Sequence, residues 1–186
     1  VTAYQTDFKD KILRVTCEAA TAWCVDEPLS SIGRPPTTYV NIDEVRIKGL
    51  EATLDARLSD SFTLKATGTL TDSEQLTGVN AGASLNETPK SQGSVALTYR
   101  PRHSKFSGFI RAIYYGEEAQ ATAQISGSNI IAPAYTTVDI GGSYNVNDTV
   151  TLRAGVQNLL DKEMTYEEFG YVNDRARVWA GLTARF

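Results

Sequence analysis

The stretch Gly49–Leu70, GLEATLDARLSDSFTLKATGTL, decides how the rest of the chain is read. Leu50, Ala52, Leu54, Ala56 and Leu58 alternate with Glu51, Thr53, Asp55 and Arg57. After the polar triplet SDS, the alternation resumes with Phe62, Leu64, Ala66, Gly68 and Leu70 against Thr63, Lys65, Thr67 and Thr69. Period-2 alternation on both sides of a short polar turn is the pattern of a β-hairpin with one apolar and one polar face. A soluble sandwich can bury such an apolar face in its core. A membrane barrel can present it to lipid, and the remaining sequence discriminates between the two.

The bulk composition fits either. The chain has 186 residues, a net charge of -4 and 22% charged residues, with a mean hydropathy of -0.25. A barrel strand hides only every second residue in lipid, so its average hydropathy resembles that of a soluble protein. No run of about 18 apolar residues is present, which excludes a transmembrane helix but not a transmembrane strand. The negative net charge and the lack of a basic stripe with interleaved aromatics argue against nucleic acid as a partner. The chain opens VTAYQTDFKDKI inside a strand pattern, without a signal-like apolar segment, so we expect a piece of a longer polypeptide.

The same counting gives eight strand candidates and no helix: Val1–Val15, Tyr39–Leu58, Phe62–Thr71, Lys90–Arg100, Lys105–Glu117, Tyr135–Asn145, Thr149–Leu159 and Asp174–Phe186. Their connections alternate in length. SDS, PRHS and VND are tight polar turns, whereas the segments between them, such as TCEAATAWCVDEPLSSIGRPPTT and LDKEMTYEEFGYVN, are long. In an up-and-down meander this puts every short turn at one rim and every long loop at the other. Outer-membrane barrels have that asymmetry, with short periplasmic turns and long extracellular loops. Phe62, Tyr99, Phe106, Tyr144 and Phe186 cluster at the short-turn rim with the parity of the apolar faces. They are expected to form a membrane-interface aromatic band. The predicted fold class is therefore all-β, a transmembrane antiparallel up-and-down β-barrel.

No catalytic constellation is found. His103 lies in a tight turn without a Ser or Asp partner at a motif spacing, and GVNAGAS lacks the Lys-Ser/Thr of a phosphate loop. Glu117 with Glu118 and Glu167 with Glu168 read as hydrated acids at loop bases. Cys17 and Cys24 sit in one long segment and could be a disulfide, half of a metal site or two separate thiols. With His103 the only histidine, no zinc ligand set is complete, and the disulfide is the favoured reading, which implies an oxidising compartment. Glu51, Asp55, Arg57, Lys65, Arg111, Asp139 and Arg153 fall on polar faces and are expected to line a lumen.

Five segments in order carry a family resemblance: YQTDFKDKI, NIDEVRIKGLEATLDARLSDSFTLKATGTLTDSE, ETPKSQGSVALTYRP, YTTVDIGGSYNVNDTVTLRAGVQNLLDKEM and RVWAGLTARF. Together they resemble the C-terminal part of a TonB-dependent outer-membrane receptor, most of all the ferric catecholate siderophore and colicin I receptor group. One departure is DRARVW, where Arg175 and Arg177 flank the position of the family's usual Arg. The resemblance implies that residues 1–186 are the last eight strands of a 22-stranded barrel. The plug, and the TonB contact made through it, lie outside these residues. It implies no enzyme and no cofactor, with iron arriving only as a ferric siderophore and no metal held directly by protein. Vitamin B12 or haem is the alternative substrate, and a bacteriocin or phage is a further partner class for the same loops. The group's loop cysteine pair fits Cys17 and Cys24. A ferric catecholate is anionic and aromatic, so Arg and aromatic side chains near the long-loop rim are the candidate ligand contacts: Trp23, Arg34, Tyr115, Tyr166, Tyr171 and Arg175. The rival from another class is a complete eight-stranded barrel acting as an anchor or passive pore.

Overall fold

The computed structural model describes residues 1–16, 37–77, 81–120, 130–169 and 171–185. Cys17, Trp23, Cys24, Arg34 and Phe186 lie outside the described residues. Ten strands form: β1 Thr2–Thr16, β2 Thr37–Arg57, β3 Phe62–Gln75, β4 Ser91–Tyr99, β5 Phe106–Tyr115, β6 Glu118–Gln120, β7 Ile130–Ala132, β8 Tyr135–Asn145, β9 Val150–Gln157 and β10 Arg177–Ala184. A single helical turn, α1, spans Tyr166–Phe169. Eight strands make one antiparallel sheet in the order β1-β2-β3-β4-β5-β8-β9-β10, and β6 and β7 form a separate small hairpin. The eight expected strands are the eight of the sheet. The small hairpin and α1 both arise within segments whose sequence reads as loop. Among the described residues β1 and β10 are edges that do not pair with each other, so the sheet is open and not a closed eight-stranded barrel.

The tight turns are held by side-chain acceptors that mimic a backbone turn. Ser59 Oγ accepts the Phe62 N–H, Ser104 Oγ accepts the Phe106 N–H, and Asn147 Oδ1 accepts the N–H groups of Thr149 and Val150. Each turn thus fixes the register of its hairpin. Leu50 faces Leu70, Asp55 faces Lys65 and Phe62 faces Tyr99, which carries the alternation of Gly49–Leu70 into the neighbouring strands.

The apolar face has no core behind it. Leu50, Leu54, Ile110, Leu152 and Val178 are all exposed, with Val178 at 76%. The buried apolar residues lie instead at the long-loop end. Val45 packs on Leu85, and Ala132, Met164 and Phe169 form a second small cluster against Tyr135. Val45 belongs to the parity of Glu51 and Asp55, so within β2 the two faces exchange character at Gly49. Below it Leu50 and Leu54 share a face; above it that face carries Lys48, Arg46 and Glu44. These charges pair across strands, Lys48 with Asp72 at 3.1 Å, Arg46 with Asp7 at 2.7 Å and Lys9 with Glu44 at 3.5 Å. A membrane-crossing strand needs roughly 9–11 residues, and β2 has 21. Its upper half therefore projects beyond the apolar belt. Gly49 is needed at the point of exchange, because a Cβ there would collide with the Leu70 carbonyl oxygen and lie 2.8 Å from the Tyr4 hydroxyl.

Candidate functional site

The long-loop end closes over the polar face, and its geometry begins with cross-strand pairing. Tyr115 ends β5 and Tyr135 begins β8, and the two are direct partners. Their rings stack at 5.0 Å with an interplanar angle of 24°. Tyr135 also shares a hydroxyl–hydroxyl hydrogen bond of 3.0 Å with Tyr171 and receives the edge of Phe169 at 5.5 Å. Phe169 is fully buried beside Met164, and Lys162 Nζ stands 5.4 Å from its ring centroid. α1 exists because Phe169 must reach this cluster from an otherwise polar loop; Thr165 starts the turn by accepting the Phe169 N–H at its carbonyl oxygen.

The result is a rim of three tyrosines with two rings face to face. A cleft of about 200 Å³ opens beside them, floored by Pro89, Gln92, Gly116 and Pro133. A second cleft of about 320 Å³ lies between the 81–90 segment and the small hairpin, with the Lys90–Glu117 pair at 3.0 Å on its wall. The 81–90 segment reaches that position by folding back onto β3: Gln75 donates its N–H to the Ala83 carbonyl and Leu85 donates its N–H to Ser73 Oγ.

A polar knot holds the neighbouring loop. Asn158, at φ 50, donates through Nδ2 to the carbonyls of Lys162 and Asp174, while its Oδ1 accepts the Lys162 N–H. Its own backbone N–H goes to Asp139 Oδ1 at 3.0 Å, and Asp139 Oδ2 is 2.6 Å from Arg111. Asp161, at φ 54, accepts from Arg175 Nε and from the Ala176 N–H. The Arg175 guanidinium and then the Ala176 N–H pull the Asp161 carboxyl down to about 2. Asn and Asp tolerate the left-handed conformation better than other non-glycine residues, which is what the NLLD sequence supplies here.

Of the ligand-contact candidates, Tyr115 and Tyr171 come together through Tyr135, which the sequence reading did not single out. Its only prior signal was its place at the first residue of a strand after a long loop. Tyr166 stands exposed on α1, away from the stack. Arg175 is engaged by Asp161 and by Glu163 at 3.0 Å, and this also explains why β10 begins at Arg177 and not at Asp174. The predicted lumen residues share one face: Asp55 with Lys65 at 2.9 Å, Arg111 with Asp139, and Arg153 donating to Thr183 Oγ1 at 2.8 Å. At the opposite rim Phe62, Tyr99 and Phe106 form a contiguous chain of rings, at 4.9 and 6.3 Å, with Tyr144 paired to Phe106. No group of acids, cysteines or histidines suited to a metal ion occurs among the described residues.

Comparison with known proteins places this geometry. The chain is 40% identical over all 186 residues to the iron-regulated outer membrane virulence protein of Vibrio cholerae, and spans 28% of that protein's length. It is 26% identical over 175 residues to the probable TonB-dependent siderophore receptor PiuA of Acinetobacter baumannii, covering 84% of this chain and 22% of PiuA. The fold matches the ferric enterobactin receptor PfeA of Pseudomonas aeruginosa with a TM-score of 0.71 at 20% identity, over 99% of this chain and 28% of PfeA. The chain thus spans between 22% and 28% of the length of these relatives. Residues 1–159 match the family described as TonB dependent receptor-like, beta-barrel. The chain belongs to this family of outer-membrane receptor β-barrels.

Proposed function

We propose that this chain forms the last eight strands of a 22-stranded TonB-dependent receptor that imports ferric siderophores, with catecholates as the preferred class. The observation that carries the ligand class is the Tyr115–Tyr135–Tyr171 rim on the lumen face at the extracellular mouth. Aromatic faces attract other aromatic rings in offset or edge geometry, and phenol hydroxyls can donate to catecholate oxygens. Tyr166 and, on the β1–β2 connection, Trp23 and Arg34 are further contacts in this reading. Arg175 contributes by shaping the rim through Asp161. Cys17 and Cys24 join as a disulfide in the same connection.

The open edges of β1 and β10 are where the remaining barrel strands would pair, and the charged lumen wall faces the plug. Ligand binding rearranges the plug, and TonB, engaging the plug region, supplies the energy. Iron enters as cargo. Binding to the intact receptor tests the ligand class. Quenching of intrinsic fluorescence is expected with a ferric tris-catecholate and not with a ferric trihydroxamate. Tyr115→Ala or Tyr171→Ala should each weaken binding about 2- to 10-fold. Unchanged emission with the catecholate, alongside intact uptake of vitamin B12 or haem, would overturn the assignment.

A further inference from the structure

On the lipid-facing side, three adjacent rows of residues run across β5, β8, β9 and β10. The upper row is Ile110, Ile140, Val156 and Val178, and the lower row is Phe106, Tyr144, Leu152 and Leu182. The row between them is Gly108, Gly142, Ala154 and Ala180. Four small residues lie in register between two rows of large ones; the Phe106 ring covers Gly108 and Gly142, so the trough stays open at Ala154 and Ala180, about 5 Å apart at the usual strand spacing. It belongs to an apolar groove of about 780 Å³. Phe62 and Tyr99 close one end, and the Phe106 ring lies over Gly108 and Gly142, 3.0 Å from where a Cβ on Gly142 would stand.

The turn directly below this groove joins Tyr99 to Phe106 and reads RPRHSK. Arg100, Arg102 and Lys105 are exposed there, and none forms an ion pair among the described residues; Lys105 Nζ donates one hydrogen bond to the Val146 carbonyl at 3.0 Å, which leaves its charge unneutralised. The turn contains no acid. In the neighbouring turns Asp60 is engaged by Arg57 at 2.6 Å, which leaves Asp148 as the opposing charge, and Arg185 adds a further cation at the β10 end. Basic groups next to a membrane attract anionic lipid headgroups, and the attraction grows with each added residue.

We propose that groove and turn together bind one anionic glycerophospholipid of the periplasmic-side leaflet. Its acyl chain lies along Ala154 beside the Phe106 ring, and its phosphate is held by Arg100, Arg102 and Lys105. The site is independent of which ligand the receptor imports.

Native mass spectrometry of the intact delipidated receptor, offered equal dioleoyl phosphatidylglycerol and dioleoyl phosphatidylcholine, tests this. The wild type should retain phosphatidylglycerol at least tenfold over phosphatidylcholine. Arg102→Gln should lower that ratio about fivefold, the effect of one basic residue at an anionic surface. The Arg100→Gln/Arg102→Gln/Lys105→Gln variant should bring it near one. Ala154→Phe/Ala180→Phe, which fills the trough from exposed positions, should reduce retention of phosphatidylglycerol while leaving heat-modifiable mobility unchanged. Equal retention of the two lipids by the wild type, an unaltered ratio in the triple variant, or unaltered retention in the trough-filled variant would overturn the proposal.

Discussion

Asp139 joins three strands, and its removal makes a prediction with separable parts. The residue is 7% exposed. One carboxylate oxygen accepts from Arg111 at 2.6 Å on β5, and the other accepts the backbone N–H of Asn158 just beyond β9 at 3.0 Å. Asp139→Ala deletes both acceptors. The Asn158 residue is itself buried at 6%, so its N–H would lose its partner without full access to water, at a cost of about 1–3 kcal/mol. The lost ion pair adds less, because the Arg111 side chain is 44% exposed and water screens it; surface pairs of this kind contribute about 0–1 kcal/mol. The expected total for Asp139→Ala is about 1–4 kcal/mol. Asp139→Asn keeps an oxygen for the Asn158 N–H but puts an amide NH2 where Arg111 had its acceptor, so the half-exposed guanidinium turns to water and the loss should be confined to the ion pair, about 0–1 kcal/mol. Denaturant unfolding of the intact receptor, followed by its heat-modifiable band, measures both. Equal destabilisation by Ala and Asn would show that charge and not the Asn158 hydrogen bond dominates, and would refute the reasoning.

Two further outcomes follow from the loops and the lumen. Asp161 has a folded-state pKa depressed to about 2 by Arg175; its contribution to loop order is thus present above the unfolded carboxyl value near 4 and lost as pH falls toward 2. Hydrogen exchange of residues 161–176, corrected for intrinsic rate, should be flat from pH 8 to 5 and rise between about pH 4 and 2, and Asp161→Asn should abolish that rise. On the lumen face Phe109, Gly141, Gly155 and Trp179 form one cross-strand row, and a Cβ on Gly141 would meet the Phe109 ring at 2.7 Å and the Trp179 ring at 3.2 Å. Gly141→Ala should therefore destabilise by about 1–3 kcal/mol, and a Phe109→Ala background should recover a large part of it; additive effects would exclude the ring contact as the cause.

What the sequence made legible was governed by periodicity, and what it concealed was governed by burial beyond the membrane. Within the apolar belt the solvent changes from lipid to lumen water at every residue, so the parity of Leu50, Leu54, Asp55 and Lys65 could be read without knowing any contact. The loop-length alternation then gave the meander, and its order was recovered strand for strand. At Gly49 that rule stops. In the VRIKG segment the apolar residues Val45 and Ile47 move to the other parity, because above the belt the outer face meets water and the inner face is covered by the 81–90 segment. A period count run through this point averages the two patterns and misses the change. The tyrosine rim was half visible for the same reason: Tyr115 and Tyr171 stand out as aromatics beside long loops, but Tyr135 is a strand residue whose importance comes from its partners. Arg175 shows the converse. Its charge invites a ligand when read in sequence, yet the left-handed turn at Asp161 brings a carboxylate to it from 14 residues away. The membrane-spanning wall is thus encoded locally, residue by residue, whereas the mouth is encoded in long-range contacts among segments that individually look like loop.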